Sequence, residues 1–133
     1  MEEFRLVILT PYGKYLDTEV SFLEVRNDKY SLGITKSHAP IISTVGIEPI
    51  KIRMKGSEFI YACGGGIINI DKEKVTLVIN SIERSDEIDL DRALQAKKRA
   101  EDRLNQKTEE IDTARAQASL ARALQRIHIK QGN

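Results

Sequence analysis

The side chains whose types and spacing could do chemistry gather in the last third of this sequence. The run Ile88-Asp89-Leu90-Asp91-Arg92-Ala93 sets two acids beside the first of several arginines. Arg92 and Arg99 are seven residues apart, two helical turns, so a helix would carry them on roughly one face. Arg122 and Arg126, four apart, would also share a face. If the two segments fold back on each other, four guanidiniums come alongside. Their forked N–H groups match phosphate oxygens, and the ligand chemistry would be that of a polyphosphate. The same spacing also describes an ordinary solvated basic face. From residue 113 onward the chain carries Arg115, Arg122, Arg126 and Lys130 and no acid, so that segment could equally press against an acidic protein surface.

The other candidates fail on their surroundings. His38, within Lys36-Ser37-His38-Ala39-Pro40, has no Ser/Asp or Cys arrangement near it and reads as a structural loop histidine. Gly64-Gly65-Gly66 follows a strand, opens no helix and precedes no Lys-Ser/Thr. It fails as a phosphate loop and reads as a bulge or a place of close backbone packing. Cys63 ends an apolar strand and reads as a small buried side chain. As the single cysteine it cannot form an internal disulfide, which fits a reducing compartment. No His/Cys cluster has metal-ligand spacing. Neither catalytic residues nor a metal site are therefore expected, and a stand-alone enzyme is disfavoured.

Charge and hydropathy narrow the partners. The 21 Lys and Arg offset 20 Asp and Glu to a formal +1, so no bulk field draws the chain to nucleic acid or an anionic membrane. No apolar run approaches the roughly 18 residues of a membrane span, and Met1-Glu2-Glu3 is unlike a signal peptide. Any membrane association is expected to be indirect.

Two kinds of structure must position these residues, because the alphabet changes near residue 87. All six valines, all three prolines and seven of the eight glycines lie before it; eight of the ten alanines lie after it. Valine, glycine and proline belong to strands and turns, whereas alanine with Leu, Arg, Lys and Gln belongs to helices. Residues 1–86 read as short strands: Phe4 to Ile8 before the turn Pro11-Tyr12-Gly13, then Val20–Val25, Ile47–Met54, Glu58–Cys63, Ile67–Ile70 and Val75–Ile79. With no helical stretch between them, they predict an antiparallel β-sandwich or flattened barrel. Residues 87–133 predict a two-helix antiparallel hairpin, an α+β chain overall. Asp89 caps the first helix, whose stripe is Leu90, Ala93, Leu94, Ala100 and Leu104. Asn105-Gln106-Lys107-Thr108 supplies the turn, with Thr108 a cap. The second helix offers two rows, Ile111/Ala114/Ala118/Ala121/Leu124/Ile127 and Ala116/Leu120/Ala123/Ile127. Faces made mostly of alanine bury little, which predicts a hairpin of marginal stability, able to open or dock elsewhere.

In order and spacing these pieces resemble one family across essentially the whole chain. They are Val7-Ile8-Leu9-Thr10-Pro11-Tyr12-Gly13, Leu32-Gly33-Ile34 with His38-Ala39-Pro40, Gly65-Gly66-Ile67 leading to Val75-Thr76-Leu77, and Ile88-Asp89 before Arg92-Ala93 and the Ala/Arg-rich tail. The sequence is similar to the epsilon subunits of rotary, proton-translocating ATP synthases of the bacterial type. It departs at Tyr30-Ser31, where a glycine-led turn is common, and at Thr35-Lys36, where Leu-Pro is usual.

The resemblance implies a non-catalytic central-stalk subunit. Its sandwich docks on the gamma subunit and on the rotor ring of c subunits. Its hairpin either folds down on the sandwich or extends among the alpha and beta subunits of the catalytic head, where Arg115, Arg122, Arg126 and Lys130 would make inhibitory contacts. In some members the folded hairpin binds ATP as a regulatory ligand rather than a required cofactor. The matching positions here are Ile88, Asp89, Arg92, Ala93, Arg99, Arg122 and Arg126, with Glu83 contributing from the linker; Mg²⁺ dependence is left open. The implied location is peripheral, on the cytoplasmic face of a bacterial plasma membrane. The competing expectation is a purely structural coupling subunit whose hairpin stays folded.

Overall fold

In the computed structural model, which describes residues 2–106 and 110–132 (residues 110 and 111 by backbone only), alternating apolar and polar side chains form two five-stranded sheets. The first runs in the order β2 (Gly13–Val20), β1 (Phe4–Thr10), β9 (Lys74–Ile79), β8 (Gly66–Ile70), β5 (Ile41–Val45). The second runs β10 (Ile82–Arg84), β7 (Ser57–Cys63), β6 (Ile50–Met54), β3 (Phe22–Arg26), β4 (Ser31–Ile34). Leu6, Ile8, Leu23, Ile52, Ile68 and Leu77 are wholly buried between them, as expected when the inward side chains of two sheets interdigitate.

Three local expectations are corrected. Val20–Val25 is not one strand: it breaks at Ser21, whose N–H donates to the Arg53 carbonyl, and the chain passes from one sheet to the other. The sandwich is not wholly antiparallel, because β1 and β9 pair parallel, from Arg5↔Lys74 to Leu9↔Val78. The two meet only after the chain has travelled through both sheets. The strand Gly13–Val20 also lies largely outside the sequence reading, because an edge strand keeps polar residues. Its Asp17 accepts two hydrogen bonds from Arg5, each 2.9 Å, and one from Lys14 at 3.0 Å, which hold that carboxyl well below its ordinary range.

The glycine triplet is a site of close packing, as the sequence indicates. A methyl group on Gly66 would overlap the Val78 carbonyl oxygen and stand 2.7 Å from the Ile79 Cα; one on Gly64 would overlap the Ser81 hydroxyl. Gly65 adopts φ +86°, a left-handed conformation that favours glycine.

A short 3₁₀ turn, Ser85–Glu87, leads to α1 (Leu90–Asn105). The Asp89 side chain accepts from the Arg92 N–H at 3.1 Å and caps this helix as expected. Helix α2 (Glu110–Lys130) packs against α1 through Ala93 and Ala100 on one side and Ala116 and Ala123 on the other. The Ala116/Ala123 row is the buried one. Ala114 and Leu124, from the other row, are exposed, and so is Leu94 of the proposed α1 stripe. A helix with alanine on several sides does not reveal which side faces inward. The turn at Lys107-Thr108, the Thr108 cap and the Ile111 side chain lie outside the described residues.

Helix α2 also lies on β7, and a single side chain supplies the most specific contact. Gln125, 8% exposed, accepts from the Cys63 N–H at 2.9 Å and donates to the Cys63 carbonyl at 2.8 Å. Strand β6 starts at Ile50, opposite Tyr61, and does not reach Cys63. The glutamine amide therefore takes the place of a missing strand neighbour. It satisfies two backbone groups that burial would otherwise leave orphaned.

Candidate functional site

Where the hairpin meets the sandwich, a cleft of about 540 Å³ opens between α1, β10 and the β1–β2 turn. That size is within the range of small-molecule sites. Helix α1 turns Asp89, Arg92, Ala93, Ala96 and Arg99 toward it, a face set by spacings of three and four residues. The strand end and linker add Ser81, Ile82, Glu83 and Glu87. Helix α2 adds Arg126, and the first hairpin adds Thr10, Tyr12 and Tyr15.

Six of the eight residues singled out for ligand binding thus line one cavity: Glu83, Asp89, Arg92, Ala93, Arg99 and Arg126. Ile88, two residues before α1, is buried and does not join the lining. Arg122 does not join the lining; its guanidinium turns back along α2 and donates to the Ser119 hydroxyl at 3.2 Å. The four guanidiniums that the spacing allowed are therefore three. Sharing a helix face with Arg126 did not decide where the long Arg122 side chain would point.

The acids in the cleft are already engaged. Glu83 pairs with Arg126, Asp89 caps α1, and Glu87 accepts from the Tyr15 hydroxyl at 2.6 Å and from the Arg84 N–H at 2.8 Å. Burial and the Glu87 carboxylate push the Tyr15 hydroxyl well above its ordinary pKa, so it stays a donor. Arg92 and Arg99 are exposed and have no ion-pair partner among the described residues. They stand two turns apart along α1, about 10 Å, with Ala96 between them. The cleft thus offers two uncommitted guanidiniums above a low floor of alanine, which can bind an anionic ligand but supplies no nucleophile–base pair.

The second basic set is distributed differently. Arg115 is exposed, while Lys130 donates to the Ser85 carbonyl at 3.2 Å and Arg126 is held by Glu83. Two of the four residues expected to touch the catalytic head therefore hold the hairpin against the linker and sandwich. Elsewhere, the His38 ring donates to the Ala39 carbonyl at 2.7 Å, a local loop contact. Among the described residues no group of three His, Cys, Asp or Glu side chains is placed to hold a metal, and no helix is long and apolar enough to cross a membrane.

The two halves match two family models in register with this architecture. Residues 3–85 match the beta-sandwich domain of the ATP synthase Delta/Epsilon chain, and residues 86–131 match its long alpha-helix domain. The chain belongs to the ATP synthase delta/epsilon family. Similar relatives are the ATP synthase epsilon chains of Bacillus licheniformis, 33% identical over 97% of this chain and 98% of the relative, and of Desulfitobacterium hafniense, 38% identical over 94% of each. Membership makes the chain an epsilon-type, non-catalytic ATP synthase subunit. A chain in the mitochondrial ATP synthase of Euglena gracilis, solved with OSCP, F1 and c-ring, superposes with TM-score 0.78 at 15% identity, over 92% of this chain and 78% of that one. A chain from the central stalk and c-ring of the Tetrahymena thermophila enzyme gives 0.60 at 15% identity, over 99% and 98%. At that identity the likeness is one of fold.

Proposed function

We propose that this epsilon-type chain is a rotor subunit that docks through its sandwich on the gamma subunit and the c-ring. Its hairpin acts as a brake on ATP hydrolysis, released while ATP occupies the cleft. The observation that carries this reading is that the cleft is shared. Its walls belong to α1, α2, β10 and the β1–β2 turn together, so it exists only while the hairpin lies down. A ligand bound there favours the folded form by mass action. What supports the brake is that Arg126 and Lys130, two of the residues expected to reach the catalytic head, are engaged in the folded form. While they serve Glu83 and Ser85 they are withheld from the catalytic head, and lifting the hairpin would free these two to act beside Arg115, which is exposed already, and Arg122, which is bonded only within α2. The cellular place consistent with this role is peripheral, on the cytoplasmic face of a bacterial plasma membrane.

The test is an ATP titration of the full chain by calorimetry, beside an Asp89→Ala/Arg92→Ala variant, with and without Mg²⁺. Binding that the variant loses supports the cleft; no binding by the parent chain refutes it. The brake is tested separately in the assembled complex. Removing residues 87–133 should raise ATP hydrolysis, and an unchanged rate would leave a purely structural coupling subunit with a permanently folded hairpin.

A further inference from the structure

We infer that Tyr12 is a nucleotide-positioning residue, the ring against which the base of the ligand stacks; this rests on the nucleotide reading of the cleft. Tyr12 is 96% exposed, and it stands apart from the other three tyrosines. Tyr15 and Tyr61 pack edge to face with centroids 6.2 Å apart, and the Tyr15 hydroxyl holds Glu87. The Tyr30 hydroxyl is hydrogen-bonded to Ser43. For the Tyr12 ring and hydroxyl the described residues provide no partner. A single exposed aromatic residue is unremarkable on most surfaces. This one is on the wall of the charged cleft, at the tip of the β1–β2 turn.

The backbone that carries the ring is well fixed. The Tyr12 N–H donates to the Thr10 hydroxyl oxygen at 3.2 Å, that hydroxyl donates to the Gly13 carbonyl at 3.3 Å, and Gly13 takes φ +116° to close the turn. The point of attachment of the ring is thus set at the cleft, while the ring itself stands in water. Helix α1 brings complementary chemistry to the same cavity, with the methyl groups of Ala93 and Ala96 beside Arg92 and Arg99. A planar base lying between the Tyr12 ring and the alanine floor would bury apolar surface on both faces, with its phosphates directed to the guanidiniums. Aromatic stacking tolerates any base, so Tyr12 adds affinity for nucleotides in general and none for phosphate alone. The expected contribution is about tenfold in affinity.

The experiment uses the full chain and three probes, ATP, GTP and inorganic tripolyphosphate, each titrated by calorimetry into the parent, Tyr12→Ala and Tyr12→Phe. The expected result is an approximately tenfold loss for ATP and GTP in Tyr12→Ala, unchanged tripolyphosphate binding, and near-parental behaviour of Tyr12→Phe. Because the chain has no tryptophan, Tyr12→Trp adds a single reporter whose emission should change on addition of ATP but not of tripolyphosphate. Parental ATP affinity in Tyr12→Ala overturns the inference, as does an equal loss for ATP and tripolyphosphate, which would mean a damaged cleft. If the parent binds neither ATP nor tripolyphosphate, the nucleotide reading itself falls, and the assignment of Tyr12 falls with it.

Discussion

Replacing Gln125 by leucine should release the hairpin from the sandwich without unfolding either part. Leucine fills similar space but can neither accept from the Cys63 N–H nor donate to its carbonyl. With the hairpin down, both backbone groups would then be buried and unpaired; with it lifted, water satisfies them. Each orphaned group costs about 1–3 kcal/mol. Allowing for partial hydration, the docked form loses roughly 2–4 kcal/mol, a shift of about 30- to 1,000-fold in the docking equilibrium. The assay places a reporter thiol at Ala62, which is 3% exposed and lies on the opposite face of β7 from Tyr61 and Cys63, whose side chains join the sandwich core. In Ala62→Cys chains, alkylation at 62 follows hairpin lifting, while Cys63 stays protected unless the sandwich itself opens. Gln125→Leu should raise the first rate by a factor in that range and leave the second alone. A change of less than about threefold at 62 would refute the clip, and joint labelling of both thiols would show that the substitution acts on the sandwich instead.

Two further outcomes follow from packing and charge. Gly66→Ala should prevent a stable sandwich, because the added methyl meets the β9 backbone at Val78 and Ile79 rather than a flexible side chain; loss of the cooperative urea transition checks this. Stability should fall as the medium becomes alkaline. Burial raises the Cys63 thiol above its ordinary 9.0 and the Tyr15 and Tyr61 hydroxyls above their ordinary 10.0. The folded chain therefore keeps protons that the unfolded chain has lost. The contribution is complete below pH 9.0 and declines above it, more steeply beyond 10.0 where the tyrosines join. Urea midpoints measured across this range should drop, and Cys63→Ala should remove the earlier part of the drop.

How much of this was legible in the sequence depended on whether the signal was local. The change at residue 87 was plain because valine and glycine give way to alanine within a few residues, and the Asp89 cap was plain because capping is read from adjacent positions. Strands β4, β5 and β10 were not: all three are short strands at sheet edges, where too few side chains turn inward for alternation to register. The arginines of the cleft announced themselves by spacing. Thr10, Tyr12 and Tyr15 did not, because folding brings them to the linker from far away, Tyr15 reaching Glu87 across 72 residues. Gln125 looked like an ordinary polar helix residue. Only its burial between α2 and β7 and its paired bonds to Cys63 give it a role.

The magnitudes are compatible with the switch proposed for the hairpin. Its interface with itself is mostly alanine, and its hold on the sandwich includes three polar contacts: the Gln125 clip, the Arg126–Glu83 pair and Lys130 on a carbonyl. Partly exposed ion pairs contribute about 0–1 kcal/mol, so the clip is the largest single polar contact. A ligand confined to the folded form adds about 2.7 kcal/mol at a hundred times its Kd, the same order as the clip. Nucleotide in the cleft would therefore be able to offset the loss of the clip on its own. In the proposed brake Arg126 would sharpen the balance, because one guanidinium cannot serve both Glu83 in the folded form and a distant acidic surface in a raised form. Each position of the hairpin would then be gained only by giving up the other.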